Sequence, residues 1–376
     1  QQQQQQQQHH TLELRTAPEL SDALVPSHLV AGGVAFGLGP AGHLTLLAQE
    51  DLNDCAAAML AAGIEEFDTS PWYGAGTGEE RLGRALRAAV AARGEAQSST
   101  PKVTTKVGRL FLEPDGVSPA LSGYDDPERA RPEDRIVTND YSAEGALRSF
   151  RESLDRLGFS EIEGLRVHDP NDNNKSTPEV DEVAIAAGPN GACEALRELR
   201  KSGKIKTVGL GMNCNKEPHQ GKPDEIIRLI RLCEAKTFDS ALLAGGWNLL
   251  CQTGWPCLLE CQRQGIEVHI AGIYASGLLA GGETYAYIPA PENMLTAKRR
   301  WQELAEQFGK SLPAVAIAFA MLPRCVTRLV VGMATAKEVE DTCRFMKEAH
   351  TVPLDIFLEA KRLGLLAADL PLPDAA

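Results

Sequence analysis

The stretch Leu52–Asp68, LNDCAAAMLAAGIEEFD, contains the repeating unit from which the fold is inferred. Its first part, Leu52–Ala62, carries apolar residues at helical spacing, and Gly63 follows where a helix commonly ends in a residue with positive φ. The short apolar run Ile64–Phe67 has the length of a strand and is followed at once by Asp68. The stretch therefore predicts a helix, a tight turn and a buried strand that ends in a carboxylate.

The same order of helix, glycine and strand recurs along the chain. Gly158, Gly203 and Gly265 each separate a helix pattern from a strand pattern. Eight strands are predicted, at Val30–Phe36, Ile64–Phe67, Lys102–Lys106, Ile162–Val167, Lys204–Gly209, Ser240–Leu243, Glu267–Ala271 and Arg328–Val331. Eight helices alternate with them, at Leu52–Ala62, Gly78–Val90, Glu144–Leu157, Ala192–Lys201, Pro223–Cys233, Pro256–Gln264, Thr296–Phe308 and Lys337–Lys347.

Eight such units predict an α/β protein, a (β/α)8 barrel with a long insertion, Gly108–Tyr141, after the third strand. An open doubly wound sheet is the alternative. The absence of a G-x-G-x-x-G turn after the first strand favours the barrel. Residues 1–10, eight Gln and two His, are tag-like or disordered, and residues 11–376 are predicted to form the single barrel domain.

Charge and composition exclude several classes of protein. The 376 residues include 51 acidic and 38 basic side chains, and the resulting net charge of −13 disfavours binding to nucleic acid or to an anionic membrane. No apolar run is long enough to span a bilayer. Nine cysteines without a CxxC pair fit neither a disulfide framework nor a zinc ribbon, so we expect a reducing, cytoplasmic environment.

Ionisable side chains occur where three consecutive strands end. Asp68 ends the second strand, Lys106 the third and His168 the fourth, and Tyr73 lies on the loop after Asp68. In a barrel these strand ends meet at the face that carries active sites. A buried acid and a buried lysine need a partner, so Asp68 and Lys106 are expected to pair. A lysine beside Tyr73 is expected to lower the pKa of the phenol and prepare it for proton transfer.

Asp68, Tyr73, Lys106 and His168 together resemble the catalytic tetrad of the aldo-keto reductases. The flanking sequences agree, and the resemblance extends from about Leu29 to Leu366. The motifs that carry it are Asp68-Thr69-Ser70, Gly209-Leu210-Gly211-Met212-Asn213, Ser276-Gly277-Leu278-Leu279 and Val330-Val331-Gly332. Asp68-Thr69-Ser70-Pro71-Trp72-Tyr73-Gly74, His168-Asp169-Pro170 and the insertion are similar to the sugar 1-dehydrogenase branch, which includes D-threo-aldose and L-galactose dehydrogenases.

The resemblance implies a nicotinamide cofactor, NAD or NADP, bound across the barrel mouth and no metal. Ala244 and Ala271 occupy places where the family usually has a glutamine and an aromatic ring beside the nicotinamide, and Tyr274 is a candidate replacement for the ring. Cofactor contacts are expected at Gly33, Val34, Met212, Asn213, Tyr274, Ser276, Gly277, Leu278, Gly332, Met333, Ala334, Glu338, Asp341 and Thr342.

The start of the eighth helix bears on the choice between the two cofactors. Thr335 and Glu338 are predicted to form a capping box. Relatives that use NADP typically have basic side chains here, whereas a carboxylate repels a 2′-phosphate, so NAD is weakly favoured. Lys337 is the group that would reverse this preference if it turned toward the phosphate.

The sequence predicts oxidation of an aldose at C1 to the aldonolactone, with Tyr73 as acid/base and His168 orienting the reacting oxygen. The alternatives are NADPH-dependent reduction of small aldehydes or ketones, and a non-catalytic nucleotide-sensing subunit on the same fold. Trp72 is either a stacking surface for the sugar or a hydrophobic plug. The insertion Gly108–Tyr141 is either a lid over the sugar or a surface excursion.

Overall fold

Eight parallel strands form a closed barrel in the computed structural model, which describes residues 11–37, 47–93, 100–112, 136–171, 179–215 and 221–373. Each strand pairs in parallel with the next one along the chain, and the last pairs with the first. The predicted (β/α)8 barrel is therefore confirmed. The strands are β1 Leu29–Gly32, β2 Glu66–Asp68, β3 Lys102–Val107, β4 Gly164–His168, β5 Thr207–Asn213, β6 Ser240–Ala244, β7 Glu267–Ala271 and β8 Val326–Gly332.

The helices surround the barrel and include four that the sequence analysis did not predict. Those four are Ala17–Ala23, Glu182–Ala187, Leu312–Ala320 and Asp355–Arg362. Leu312–Ala320 is apolar on every side and fully buried, so it has no amphipathic pattern to detect. In chain order the helices are α1 Ala17–Ala23, α2 Gln49–Ala61, α3 Thr77–Arg93, α4 Ala143–Leu157, α5 Glu182–Ala187, α6 Ala192–Lys201, α7 Pro223–Leu232, α8 Trp255–Gln264, α9 Glu292–Gln307, α10 Leu312–Ala320, α11 Ala336–Ala349 and α12 Asp355–Arg362.

Only the strand Glu267–Ala271 has its predicted bounds, and among the others two differ most. The predicted strand Val30–Phe36 ends at Gly32, because Gly33–Phe36 turns into a 3-10 helix. A Cβ on Gly33 would lie 2.9 Å from the backbone oxygen of Asp68, so the chain turns where it approaches β2 too closely for another side chain. The predicted strand Lys204–Gly209 is observed as Thr207–Asn213. It is shifted toward the C-terminus, to the residues that are continuously buried.

One half of the barrel interior is apolar. Val30, Leu242 and Val330 form a cluster separate from the main core, with Ala244 and Ala271 packed against it. Side chains alternate along a strand, so this cluster faces the barrel axis while the main core lies between strands and helices. Ala244 and Ala271 thus complete an apolar wall.

The other half of the interior is polar, and strand register explains its composition. Lys106, Arg166, Gly209 and Ser240 lie in one row across β3 to β6. The inward Gly209 leaves space for the long side chain of Arg166 beside it. This half of the interior opens at the carboxyl ends of the strands.

The insertion after β3 begins and ends in a pair of antiparallel strands, Arg109–Leu112 and Ile136–Asn139. Residues 113–135, which hold the rest of the predicted lid, lie outside the described residues. A second short hairpin, Thr284–Tyr285 with Ile288–Pro289, follows β7. Among the described residues, no helix is long and apolar enough to cross a membrane.

Candidate active site

The Lys106 ammonium connects two of the predicted catalytic side chains. Its Nζ donates hydrogen bonds to Asp68 Oδ1, to the backbone oxygen of Thr69 at 2.8 Å and to Tyr73 Oη at 3.2 Å. Asp68 and Lys106 are almost fully buried. Burial makes an unpaired charge costly, so this ion pair is held in a fixed geometry. The predicted Asp68–Lys106 pair is therefore present, and it contacts the tyrosine.

A tight loop places Tyr73 beside the lysine. Gly74 and Ala75 both have left-handed backbone, with φ of 58° and 50°, so the chain reverses directly after Tyr73. A Cβ on Gly37 would lie 2.9 Å from the Tyr73 carbonyl carbon, and one on Gly78 would lie 2.9 Å from its oxygen. Glycines on both sides therefore allow the chain to approach the loop closely.

His168 is neutral and oriented by Ser70. Burial lowers the pKa of the imidazole well below its usual value, and the charges of Arg109 and Lys106 lower it further. Ser70 Oγ lies 3.0 Å from His168 Nδ1 and also accepts a hydrogen bond from the Trp72 backbone N–H. Ser70 therefore fixes the orientation of the imidazole ring, whose Nε2 is directed away from Ser70.

The His168 ring lies edge-on to the ring of Tyr73, with centroids 6.2 Å apart. The backbone oxygen of His168 accepts a hydrogen bond from Tyr141 Oη at 2.5 Å, which ties the end of the insertion to this strand. The four predicted catalytic side chains are thus brought together at one face of the barrel, with the insertion anchored beside them.

The expected lowering of the Tyr73 pKa is wrong for this structure. Burial is the largest influence and raises the pKa of the phenol, and the carboxylates of Asp68 and Asp169 raise it further. Arg109 and Arg166 act in the opposite direction but do not compensate. The sequence places a lysine near the tyrosine, but the extent of burial depends on the assembled structure. Tyr73 therefore keeps its proton at neutral pH.

Asp169 is a site residue whose role the sequence analysis did not assign. It has left-handed backbone, with φ of 44°, and its buried carboxylate turns back over the strand ends. Its oxygens accept hydrogen bonds from Asn213, at 2.8 Å from the backbone nitrogen and 3.0 Å from Nδ2. Arg109 Nη2 lies 3.4 Å from the same carboxylate and His168 Nε2 lies 3.6 Å away. The sequence analysis included Asp169 only as part of the motif His168-Asp169-Pro170, because its positive φ and its contacts are not readable from sequence.

Two aromatic residues lie near the reacting groups. Trp72 is half-buried, and the Arg109 guanidinium lies 5.1 Å from the centre of its ring. Tyr287 is at the tip of the hairpin after β7, where Ala286 and Tyr287 have φ of 53° and 65°. Burial and the neighbouring Tyr73 raise the pKa of Tyr287 to about 12.

Half of the Tyr287 side chain is nevertheless exposed. We missed Tyr287 because two consecutive positive-φ positions in a hairpin normally carry glycine or asparagine, which this sequence lacks.

The predicted cofactor residues fall into three groups along the mouth. Gly33 and Val34 form the turn after β1, beside Asp68. Met212 and Asn213 end β5, where Met212 is buried and Asn213 is tied to Asp169. The remaining ones lie on the loop after β7 and at the start of α11. Met212, Leu278, Met333 and Thr342 are almost fully buried, so their side chains are not open to a ligand in this structure.

The loop after β7 has features that fit an extended dinucleotide. Ala275, Ser276 and Gly277 have consecutive positive φ values of 49°, 59° and 92°. No atom lies within 4 Å of where a Cβ would stand on Gly277 or Gly332, so space is open beside the backbone there. The buried phenol oxygen of Tyr274 has no hydrogen-bond partner among the described residues. A bound cofactor would supply a hydrogen-bond partner for such an unpaired polar group beside open backbone.

The predicted capping box at α11 is only half formed. Thr335 Oγ1 accepts a hydrogen bond from the Glu338 backbone at 3.2 Å, as expected. The Glu338 carboxylate, however, accepts from the backbone N–H of Ala334 at 2.7 Å and not from that of Thr335. Lys337 and Arg344 both bond to Asp341, at 2.6 and 2.9 Å, so Asp341 is engaged along the helix. Glu338 therefore provides the negative charge at the start of this helix, while the Lys337 side chain is directed toward Asp341.

Comparisons with known proteins agree with this geometry. The sequence model of the Aldo/keto reductase family matches residues 28–352. The chain is 29% identical over 361 residues to a pyridoxal 4-dehydrogenase from Microbacterium luteolum, covering 92% of this chain and 97% of the relative. It is 27% identical over 356 residues to a D-threo-aldose 1-dehydrogenase from Pseudomonas sp, again covering 92% and 97%.

An L-galactose dehydrogenase from Arabidopsis thaliana is 26% identical over 340 residues, covering 89% of this chain and 90% of the relative. Among solved structures, a glycerol dehydrogenase from Gluconobacter oxydans superposes with a TM-score of 0.59 at 21% identity, covering 92% of this chain and 93% of that one. That likeness supports the fold alone. Because the family match spans most of the chain, the protein is a member of the aldo/keto reductase family.

Proposed function

We propose that the protein oxidises the hemiacetal carbon of a cyclic sugar, C1 of an aldose, to a lactone with NAD(P) as the hydride acceptor. The observation that carries the proposal is the Lys106 ammonium, which joins the Asp68 carboxylate to the Tyr73 hydroxyl beside a neutral His168. Dehydrogenases of this family use nicotinamide cofactors. A proton-transfer group, a fixed cation and a hydrogen-bond donor are what hydride removal from an alcohol carbon requires.

In this mechanism Tyr73 removes the proton from the C1 hydroxyl, and the bound cofactor supplies the acceptor for the hydride. Lys106, 3.2 Å from Tyr73 Oη, stabilises the phenolate form, and Asp68 holds the ammonium in place. In the proposed mechanism Ser70 donates to His168 Nδ1, and His168 donates from Nε2 to the reacting oxygen. Arg109 and Trp72 lie at the substrate side of these groups.

The raised pKa of Tyr73 gives this mechanism a pH dependence. Oxidation needs the phenolate, so its rate should rise with pH, whereas reduction needs the protonated phenol. This favours a second candidate function, NADPH-dependent reduction of small aldehydes or ketones, near neutral pH. The third alternative, a non-catalytic nucleotide-sensing subunit, gives no reason for Lys106 to contact both Asp68 and Tyr73.

The names of the relatives support a hemiacetal substrate. Aldoses close into cyclic hemiacetals, and pyridoxal does so too through its neighbouring hydroxymethyl group, so the substrates named for these relatives share one reacting group. Pyridoxal is therefore the second substrate to test. Trp72 and Tyr287 provide aromatic surfaces beside Tyr73 that suit either ring. Nine free cysteines support a reducing compartment, and we expect the cytoplasm.

The test is a spectrophotometric screen of the purified enzyme. Free aldoses and pyridoxal are offered with NAD and with NADP, and small aldehydes and ketones with NADH and NADPH, each in parallel with Tyr73→Phe. We expect aldose-dependent cofactor reduction that increases with pH and is lost in Tyr73→Phe. Activity confined to carbonyl reduction would replace the proposal with the second candidate. Equal activity of Tyr73→Phe and the unaltered enzyme would overturn the assignment of the tyrosine.

A further inference from the structure

Arg166 shares the Asp68 carboxylate with Lys106. Its Nε donates to Asp68 Oδ2 at 3.0 Å, while Lys106 binds Oδ1. The other two guanidinium nitrogens also have partners, Ser240 Oγ at 2.9 Å and His269 Nδ1 at 2.9 Å. Arg166 is 3% exposed, so this is a buried cation with every nitrogen engaged. The sequence analysis treated Arg166 as an ordinary strand residue.

The barrel is shaped around this guanidinium. A Cβ on Gly209 would lie 2.9 Å from Arg166 Nη1, and a Cβ on Gly211 would lie 3.0 Å from Lys106 Cε and 3.5 Å from Arg166 Cδ. Two inward glycines in one strand are unfavourable for the strand itself. They are explained by the volume that the two cationic side chains occupy.

Charges of both signs lie around the site. The buried groups include the carboxylates of Asp68 and Asp169 and the cations Lys106, Arg166 and Arg109. His269 adds no charge, because burial, followed by the charges of Arg166 and Arg328, lowers its pKa well below the usual value. Arg328 is itself paired with Glu66 at 3.2 Å in the next layer of the barrel. The groups that face Tyr73 are Asp68 on β2, Lys106 on β3, Arg166, His168 and Asp169 on and after β4, Arg109 on the insertion and Tyr287 on the hairpin after β7.

The charge of Arg166 acts to lower the pKa of both Tyr73 and Lys106. Its positive charge opposes the rise in the pKa of Tyr73 that burial causes. It also contributes to lowering the pKa of Lys106, after the larger effect of burial. Removing Arg166 would leave the whole charge of Asp68 to act on Tyr73 and disfavour its phenolate.

We propose that Arg166 is a positioning residue that divides the Asp68 carboxylate between two cations and thereby sets the pH at which Tyr73 exchanges its proton. The proposal rests on the proposed function, because it assigns Arg166 an effect through Asp68 and Tyr73. Arg166 does not contact the substrate. It lies deeper in the barrel than the reacting groups and acts on them through Asp68.

The test compares Arg166→Met, Arg166→Gln and Arg166→Lys in the pH dependence of kcat/KM for oxidation. Removal of one nearby charge typically shifts a pKa by about one unit or more. Met and Gln should therefore move the rising limb of the profile to higher pH by about one unit and lower kcat/KM about tenfold below that limb. Lys keeps the charge and should leave the limb near its original position.

A matched control separates this effect from loss of stability. Arg156 is also a buried arginine paired with a carboxylate, with Nε 2.7 Å from Glu79 Oε2, but it lies on α4 and contacts none of the four site residues. Arg156→Met should lower the Tm without moving the limb. If Arg166→Met and Arg166→Gln lowered only the Tm and left the pH profile unmoved, while Tyr73→Phe was inactive, Arg166 would be structural and the proposal would be wrong. Full activity of Tyr73→Phe would instead overturn the proposed function itself.

Discussion

The charge of Glu338 should decide which cofactor the enzyme prefers. The Glu338 carboxylate is exposed at the start of α11 and is held over the Ala334 backbone N–H at 2.7 Å. Lys337, the one neighbouring group that would attract a phosphate, is bonded to Asp341. We therefore expect kcat/KM to be higher with NAD than with NADP. Glu338→Gln should reduce this preference and Glu338→Arg should shift it toward NADP.

The expected size follows from Coulomb's law. An exposed carboxylate about 5 Å from a unit negative charge costs about 0.8 kcal/mol in water-like dielectric. A phosphate monoester carries a charge of about −1.5 to −2 near neutral pH, so the penalty is about 1.5 kcal/mol, close to tenfold in affinity. The N-terminal dipole of α11 attracts the phosphate by a similar or smaller amount, about 0.3–1 kcal/mol, and does not reverse the sign.

The assay has a kinetic and a binding arm. The NAD/NADP ratio of kcat/KM is measured for the unaltered enzyme, Glu338→Gln and Glu338→Arg, and the Kd values of AMP and of its 2′-phosphorylated form are measured without turnover. Glutamine retains an oxygen acceptor for the Ala334 N–H, so it isolates charge from helix capping. Thr335→Ala, which removes the cap but keeps the carboxylate, is the control. A tenfold preference of the unaltered enzyme for NADP, or a ratio that Glu338→Gln left unchanged, would refute the reasoning.

Three further outcomes are expected. Tyr73→Phe keeps the ring but loses the proton-transfer hydroxyl, so kcat should fall by about a hundredfold or more while the cofactor Kd stays nearly constant; turnover close to normal would mean that another group moves the proton. Because all nine cysteines are free, reductant should leave the Tm unchanged, and a fall of several degrees would reveal a structural disulfide. Shortening the insertion between Glu113 and Glu133 should raise the sugar KM more than the cofactor KM, because the insertion leaves from the barrel mouth. The paired strands Arg109–Leu112 and Ile136–Asn139 are left intact in this variant. An unaltered sugar KM would show that the segment is a surface excursion.

The four predicted catalytic side chains could be located from sequence because strand ends have a simple geometry. Asp68, Lys106 and His168 each follow an apolar run, and parallel strands bring such positions to one face. The pKa shifts of these side chains could not be predicted in the same way. The expected fall in the Tyr73 pKa considered one neighbour, whereas burial and two carboxylates outweigh it in the folded protein.

Residues that act through the backbone or through burial also escaped the sequence analysis. Asp169 enters the site because its backbone is left-handed, and Tyr287 because a two-residue turn directs it there. Neither position carries the glycine or asparagine that usually indicates such a conformation. The apolar helix Leu312–Ala320 was also missed. Nearly all of its residues are buried, so it has no polar face and therefore no amphipathic pattern.

The error in the position of β5 and the omission of Arg166 have one physical cause. Gly209 and Gly211 weaken the strand signal, so the predicted strand ended at Gly209 while the observed one continues to Asn213. Those glycines leave the volume that the side chains of Arg166 and Lys106 fill. Burying two cations against one carboxylate requires further partners and space, which a strand of Val and Ile would not leave. The strand pattern is therefore weak in the sequence where β5 makes room for the charges of the neighbouring strands. Glycines that interrupt a β pattern beside strands with inward cations indicate a site and not a loop.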